Sequence, residues 1–192
     1  MKKQLVLIIL IFLYMSGKQS KGQTEHQPYT PVHQFPGFEV RYYPEAIMAK
    51  VYTHARSYRE MTSPAFNTLA GYIFGGNAAG QKIAMTAPVH IDLHDSGSSM
   101  SFVMPSAYEM EDLPAPNNPA VKLEYSDSGY FAALTFGGYA SDDKILEESD
   151  KLKRYLGQNN IQYQGNFRFL GYNSPYKFWN RRNEILVEIK WD

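Results

Sequence analysis

The periodicity of this chain changes twice in the same way, and that recurrence limits its fold more than any single motif. Residues 38–43 alternate apolar and polar and stop at Pro44, and 46–53 resume the alternation, the pattern of two strands in a hairpin. Over 57–74 the period becomes that of a helix, with Met61, Ala65 or Phe66, Leu69 and Ile73 on one stripe and Gly75-Gly76-Asn77 as its stop. Ser63-Pro64 offers a later N-cap and first helical residue; with the earlier start, Pro64 falls inside and kinks the helix. Two strands follow, 82–93 interrupted at Pro88 and 100–104 ending at Pro105. After the proline-rich crossing 113–119 the order begins again. A hairpin is predicted over 121–125 and 130–136, and a helix over 141–157 with Ser141 as N-cap, Asp142-Asp143 in its first turn and Lys151, Lys153 and Arg154 in its last. Strands over 167–172 and 184–191 complete the second round. Tyr42 and Tyr125 lie 83 residues apart and Pro88 and Pro175 lie 87, so the period holds across both halves. Thr86-Ala87-Pro88 and Asn173-Ser174-Pro175 are then two copies of one corner. The prediction is an α+β fold: a distorted antiparallel β-barrel built from two pseudo-symmetric hairpin–helix–two-strand repeats, with both helices packed outside.

The first 22 residues lie outside that pattern. Lys2-Lys3 precedes an unbroken apolar run over 5–15, too short to span a bilayer, and Ser20-Lys21-Gly22 is a small-x-small cleavage site before Gln23. This reads as a cleaved secretory signal, with a retained anchor as the alternative. The chain has no cysteine, which excludes disulfides, thiolate chemistry and an N-terminal lipidated cysteine. A secreted or periplasmic protein is expected, with no membrane span after cleavage. Residues 23–37, polar and holding Pro28, Pro31 and Pro36, read as an extended lead-in, and 38–192 as one domain. The chain carries 19 basic and 19 acidic groups; removing the four lysines of the signal leaves 15 against 19. A mature chain near −4 without a basic run excludes nucleic acid as partner.

Catalytic and metal-binding signatures are missing. The histidines are His26, His33, His54, His90 and His94; the last two, four apart on one strand face, are too distant to share a metal. No HExxH, GxSxG or phosphate-cradling glycine loop occurs. The acids are scattered apart from 109–112 and Glu147-Glu148, so no general acid/base pair stands out and no enzyme is predicted. Met85, Met100, Met104 and Met110 are soft ligands in principle, but methionine on strands is core filling. The conspicuous stretch is 171–184, with four aromatics, Tyr172, Tyr176, Phe178 and Trp179, and cations at Lys177, Arg181 and Arg182; within it 180–184, Arg182 especially, is expected to fix the loop to the barrel by guanidinium hydrogen bonds. Fifteen tyrosines and eleven phenylalanines in all supply further stacking surface. Such a loop needs a core to sink into or a flat apolar ligand, with guanidiniums suited to a carboxylate beside it.

Seven motifs in order carry a family resemblance: 38–43, 69–77, 82–89, Phe102-Val103-Met104-Pro105, Leu113-Pro114-Ala115-Pro116, Phe136-Gly137-Gly138-Tyr139, and Gly171-Tyr172-Asn173-Ser174-Pro175 with 180–184. Together they resemble the SOUL family of haem-binding proteins. The resemblance implies a duplicated barrel related to ligand-binding domains of bacterial regulators, and non-covalent binding of haem or another porphyrin as a monomeric carrier or buffer. It places the ligand between the first helix (Phe66, Leu69, Ala70, Ile73) and the loop before the last strand (Tyr176, Lys177, Phe178, Trp179), with Lys177 or Arg181 on a propionate. Some members carry a histidine where this chain has Tyr42, so Tyr42 is the candidate iron ligand; tyrosinate ligates haem in other proteins. A binding module for another flat apolar molecule, or a protein-interaction barrel, stays open beside this reading.

Overall fold

The computed structural model describes residues 24–93, 97–174 and 176–191; the signal expected over 1–22, His94 and Pro175 lie outside them. The strands are β1 (Glu25–His26), β2 (Thr30–Phe35), β3 (Phe38–Tyr43), β4 (Ile47–Thr53), β5 (Thr86–Ala87), β6 (Val89–Asp92), β7 (Ser98–Val103), β8 (Val121–Tyr125), β9 (Gly129–Phe136), β10 (Tyr163–Gly171) and β11 (Asn183–Ile189). Two helices, α1 (Tyr58–Ile73) and α2 (Asp142–Gln158), follow β4 and β9. Nine strands form one antiparallel sheet in the order β2-β3-β9-β11-β10-β6-β7-β4-β8, and β1 pairs in parallel with β5.

Two expectations change here. The sheet is open: it ends at β2 and β8, which do not pair with each other. Both ends carry features that discourage pairing, Pro31 in β2, which lacks an N–H, and Lys122 and Glu124 in β8. The predicted hairpins also do not form. β3 pairs with β9 and β4 pairs with β8, each across the two halves of the chain. Neither connector, 44–46 with its Pro44 nor 126–128, forms a turn. They bind each other, with Ser126 N donating to Ala46 O at 2.8 Å and Ala46 N donating to Ser126 Oγ at 3.1 Å.

Each helix begins where its cap predicts. The Ser57 side chain accepts from Glu60 N, so Ser57 rather than Ser63 caps α1, and Pro64 sits inside the helix. Ser141 Oγ accepts from Lys144 N at the start of α2. The end of α1 explains its Gly-Gly-Asn stop. Gly75 has φ +110°, and a Cβ on Gly76 would lie 2.6 Å from Gly71 O, where the Gly76 N–H donates instead. The buried Asn77 amide then donates to Tyr72 O and Gln81 O and accepts from Gln81 N, tying the helix end to the next segment.

Both helices cover one face of the sheet, α1 over β4, β7 and β8 and α2 over β9, β10 and β11. Between them and the sheet lies the main core, which includes Leu69, Ile73, Met100, Phe102, Met104, Leu134, Leu152, Leu156 and Ile185. The opposite face holds a smaller apolar cluster of Tyr43, Phe131, Ala133, Leu170 and Leu186 beside a row of buried polar groups. The lead-in is part of the structure: β2 extends the sheet at β3, and Tyr29 packs on Tyr43 with ring centroids 5.3 Å apart. Among the described residues no helix is long and apolar enough to cross a membrane.

Candidate functional site

Between β10 and β11 the chain leaves the sheet, and hydrogen bonds within the excursion hold its two sides together. Tyr172 N donates to Arg182 O at 3.3 Å, Lys177 N to Ser174 O at 3.1 Å, and Arg182 N to Asn173 Oδ1 at 2.6 Å. Arg181 clamps the loop from inside: its Nη1 donates to Ser174 O at 2.9 Å and to Lys177 O at 2.7 Å. Its guanidinium carbon lies 4.5 Å from the centroid of Tyr139, and Asn183 Nδ2 donates to Gly138 O at 2.9 Å. The loop is thus fixed against 137–140, the segment leading into α2. The left-handed φ of +48° at Asn180 suits an asparagine. What remains outward is aromatic. Tyr176, Phe178 and Trp179 are 82%, 71% and 75% exposed, and Tyr139 beside them is 56% exposed.

The N-terminal turns of the two helices meet nearby. Asp142 Oδ1 accepts from Tyr58 N at 2.6 Å and Oδ2 from Arg59 N at 3.4 Å, so the first residue of α2 caps α1. Tyr58, Arg59, Thr62 and 140–143 line a cleft of about 600 Å³. Burial raises the Tyr58 phenol above its ordinary value, and the charge of Arg181 opposes that shift, which puts Arg181 within electrostatic reach of this turn. An aromatic loop, a cleft and the cations Arg59, Lys177 and Arg181 therefore share one end of the molecule.

Other predicted site residues lie elsewhere. Leu69 is fully buried and Ile73 is 1% exposed, both in the main core. Phe66 and Ala70 are half-buried, with Phe66 set edge-on to Phe102 at 5.2 Å between centroids. The helix face that periodicity marks as apolar is the face the sheet takes. Along α1, Ile73 lies about 22 Å beyond Tyr58 at the usual rise per residue. Tyr42 is also remote from the loop. It pairs with Tyr130 at the start of β9, whereas the loop leads into Asn183, which pairs with Phe136 at the end of that strand, about 20 Å away at strand rise. Its ring stands edge-on to Tyr130 at 5.3 Å. Among the described residues no three His, Asp or Glu are grouped to hold a metal ion.

Sequence reading points to Arg182 as the tie between loop and sheet but not to the buried network around Glu184 that it joins. Glu184, fully buried, accepts from Arg41 Nη1 at 2.8 Å and Nη2 at 3.0 Å, from Arg182 Nε at 3.1 Å and Nη2 at 2.7 Å, and from Tyr172 OH at 2.8 Å and Thr135 Oγ1 at 3.1 Å. Burial by itself would raise the Glu184 carboxyl; hydrogen bonds and charge from Arg41, with Arg182 and Tyr172, outweigh it and hold the group below the ordinary carboxylate range. Burial, with Arg168 and Lys50 nearby, pushes His90 down to about 3, and the neutral ring lies 2.8 Å from Gln27 Oε1. The available signal was Arg41 and Tyr43 at alternating positions of one strand, which puts both on one face.

The model of the SOUL heme-binding protein family matches residues 24–188. The chain belongs to the SOUL family. Among curated relatives, Heme-binding protein 1 of Xenopus tropicalis is 26% identical over 155 residues, 77% of this chain and 81% of that protein. Heme-binding protein 2 of Homo sapiens is 28% identical over 158 residues, 78% of this chain and 77% of that protein. In fold the SOUL chain is similar to the EcmrR C-terminal domain, with TM-score 0.63 and 8% identity over 81% of this chain and 98% of that one. It is also similar to a hydrolase from Listeria innocua, with TM-score 0.54 and 8% identity over 80% and 91% of the two chains. At these identities the structural likeness is one of fold alone.

Proposed function

We propose that this SOUL protein binds haem or a related tetrapyrrole non-covalently, as an exported carrier or buffer. The observation that carries the reading is the exposed trio Tyr176, Phe178 and Trp179, held on a clamped loop beside the cleft at the helix N-termini. These residues fit a flat macrocycle with acidic side arms. Aromatic faces supply dispersion and desolvation, and Lys177 and Arg59 are the cations available to carboxylates, since Arg181 is engaged by the loop's own carbonyls. The names of the curated relatives point the same way. No residue is assigned to iron, since Tyr42 lies at the far end of β9; the macrocycle and its carboxylates carry recognition. Of the α1 residues, Phe66 and Ala70 retain surface for an apolar ligand, and Leu69 and Ile73 support them from below.

Export is inferred from Lys2-Lys3, the apolar run over 5–15 and the absence of cysteine, which suit passage to the periplasm or outside. Duplication is inferred from the sheet. Exchanging β3 with β8, β4 with β9, β6 with β10 and β7 with β11 turns the order β3-β9-β11-β10-β6-β7-β4-β8 into its own reverse, as two copies related by a pseudo-twofold would give. A barrel-like curl is inferred from the three-residue connectors 44–46 and 126–128, which join β3 to β4 and β8 to β9 between the two ends of the open sheet.

Titrating the protein with hemin and following the Soret band tests the ligand. A saturable shift at micromolar hemin is expected, weakened about tenfold or more when Phe178 and Trp179 are both changed to alanine. No shift, or a shift indifferent to that substitution, overturns the reading. A different flat apolar ligand would appear as added mass on the protein isolated from its own source.

A further inference from the structure

The aromatic loop has a second property that ligand binding does not require. Three large rings within four positions are 71% or more exposed, a protruding tip rather than the wall of a cavity. The backbone beneath them is closed on itself through Arg181, Ser174 and Asn173, so the tip can leave water without stranding the bonded carbonyls of Ser174 and Lys177. The chain as a whole has a formal net charge of +0, yet between Gly171 and Asn183 it carries Lys177, Arg181 and Arg182 and no acid. Arg182 is bound to Glu184 and Arg181 to carbonyls, which leaves Lys177 as the cation within the aromatic tip.

We propose that this loop docks on an anionic bilayer surface. Trp and Tyr rings, apolar in body and polar at one edge, concentrate at the level of lipid headgroups, and a lysine between them meets the phosphates. Clamped carbonyls, a protruding shape and a one-signed charge favour a lipid surface over a protein groove, which would supply its own hydrogen-bond partners. The inference rests on the loop alone and stands without the tetrapyrrole reading. Where both hold, the loop takes its apolar ligand from the bilayer on which it sits.

The test uses the chain from Gln23 onward, which contains every strand and helix described, with vesicles of phosphatidylcholine alone or with about one quarter phosphatidylglycerol. The chain has two tryptophans, and a Trp191→Phe variant leaves Trp179 as the reporter. On anionic vesicles Trp179 emission is expected to shift to the blue and to be quenched by lipids brominated on their acyl chains. Phe178→Ser is expected to weaken partitioning about tenfold or more. Lys177→Glu is expected to weaken it on anionic but not on zwitterionic vesicles. Absence of vesicle association, or association unchanged by Phe178→Ser, overturns the proposal. So does a blue shift that grows with protein concentration without lipid, since another protein surface then covers the loop. A parallel hemin titration without vesicles separates the two readings: vesicle binding without a Soret response retains the docking role and removes the tetrapyrrole, and the reverse result removes docking alone.

Discussion

Replacing Glu184 with glutamine should be among the most damaging single changes to this protein, although it adds no bulk. The carboxylate is fully buried and accepts from two arginines, a tyrosine and a threonine. Glutamine keeps one acceptor oxygen and turns the other position into an NH₂, which then faces N–H or O–H donors on Arg41, Arg182, Tyr172 or Thr135 in either orientation. Arg41, 4% exposed at its side chain, would retain only Glu39, 2.6 Å from its Nε, as a charged partner. Removing one member of a buried ion pair costs about 3–5 kcal/mol, because the remaining charge stays desolvated. At about 2–4 °C per kcal/mol for a domain of this size, the melting temperature should fall by roughly 10 °C. Urea unfolding at neutral pH measures the loss directly. The sign of the pH dependence gives a second readout. Because the folded carboxyl is held below its ordinary value, its stabilisation is present above the unfolded-state pKa and is lost as pH falls through the folded one. Glu184→Gln should lack that component of acid sensitivity. The double variant Glu184→Leu with Arg41→Met should be less destabilised than the sum of its parts, since the charges it leaves, Glu39 and Arg182, both reach solvent. A glutamine variant within about 1 kcal/mol of the parent, with an unchanged urea slope, would refute the argument.

Three further outcomes follow from the placement of other side chains. His90, held neutral with its value pushed down to about 3, binds fewer protons folded than unfolded between that value and about 6.5. Stability should therefore decline below pH 6.5 by up to about 1.4 kcal/mol per pH unit, and His90→Gln should flatten that slope in urea titrations at pH 7 and pH 5. Leu69→Ala should cost about 2–5 kcal/mol in urea unfolding, while hemin affinity per folded molecule stays unchanged, because Leu69 faces the sheet and not a ligand. Tyr42→Phe should leave the absorption spectrum of any hemin complex unaltered; a changed spectrum would move the ligand to the opposite end of β9.

Local signals gave the elements and stopped at their pairing. Alternation placed β3, β4, β8 and β9, and the serine caps with the Gly-Gly-Asn stop placed both helices to within a residue or two. Period two says that a strand has two faces but not which strand lies beside it, so the hairpins drawn from chain proximity were the wrong partners. The same limit affects the candidate site. Helical periodicity finds the apolar stripe of α1, and an apolar stripe is first of all what a sheet buries; Leu69 and Ile73 went to the core for that reason. The loop was legible because the density of aromatics over 176–179 is a composition signal that needs no partner to be seen. Asp142, Tyr58 and Arg59 were not, since their meeting depends on two helix ends about 84 residues apart in the chain.

The sequence by itself determined the helices and the strands from Phe38 onward, the SOUL motifs and the aromatic character of the 176–181 loop. These are consequences of local sterics and of the spacing of apolar residues along one chain. The tertiary structure alone decided that the sheet stays open and that Glu184 is the buried anchor between Arg41 and Arg182. It also decided that the rings of the loop face outward while the helix stripe faces in. Those outcomes depend on which surfaces meet, and burial is a property of the assembled layers that no single segment encodes.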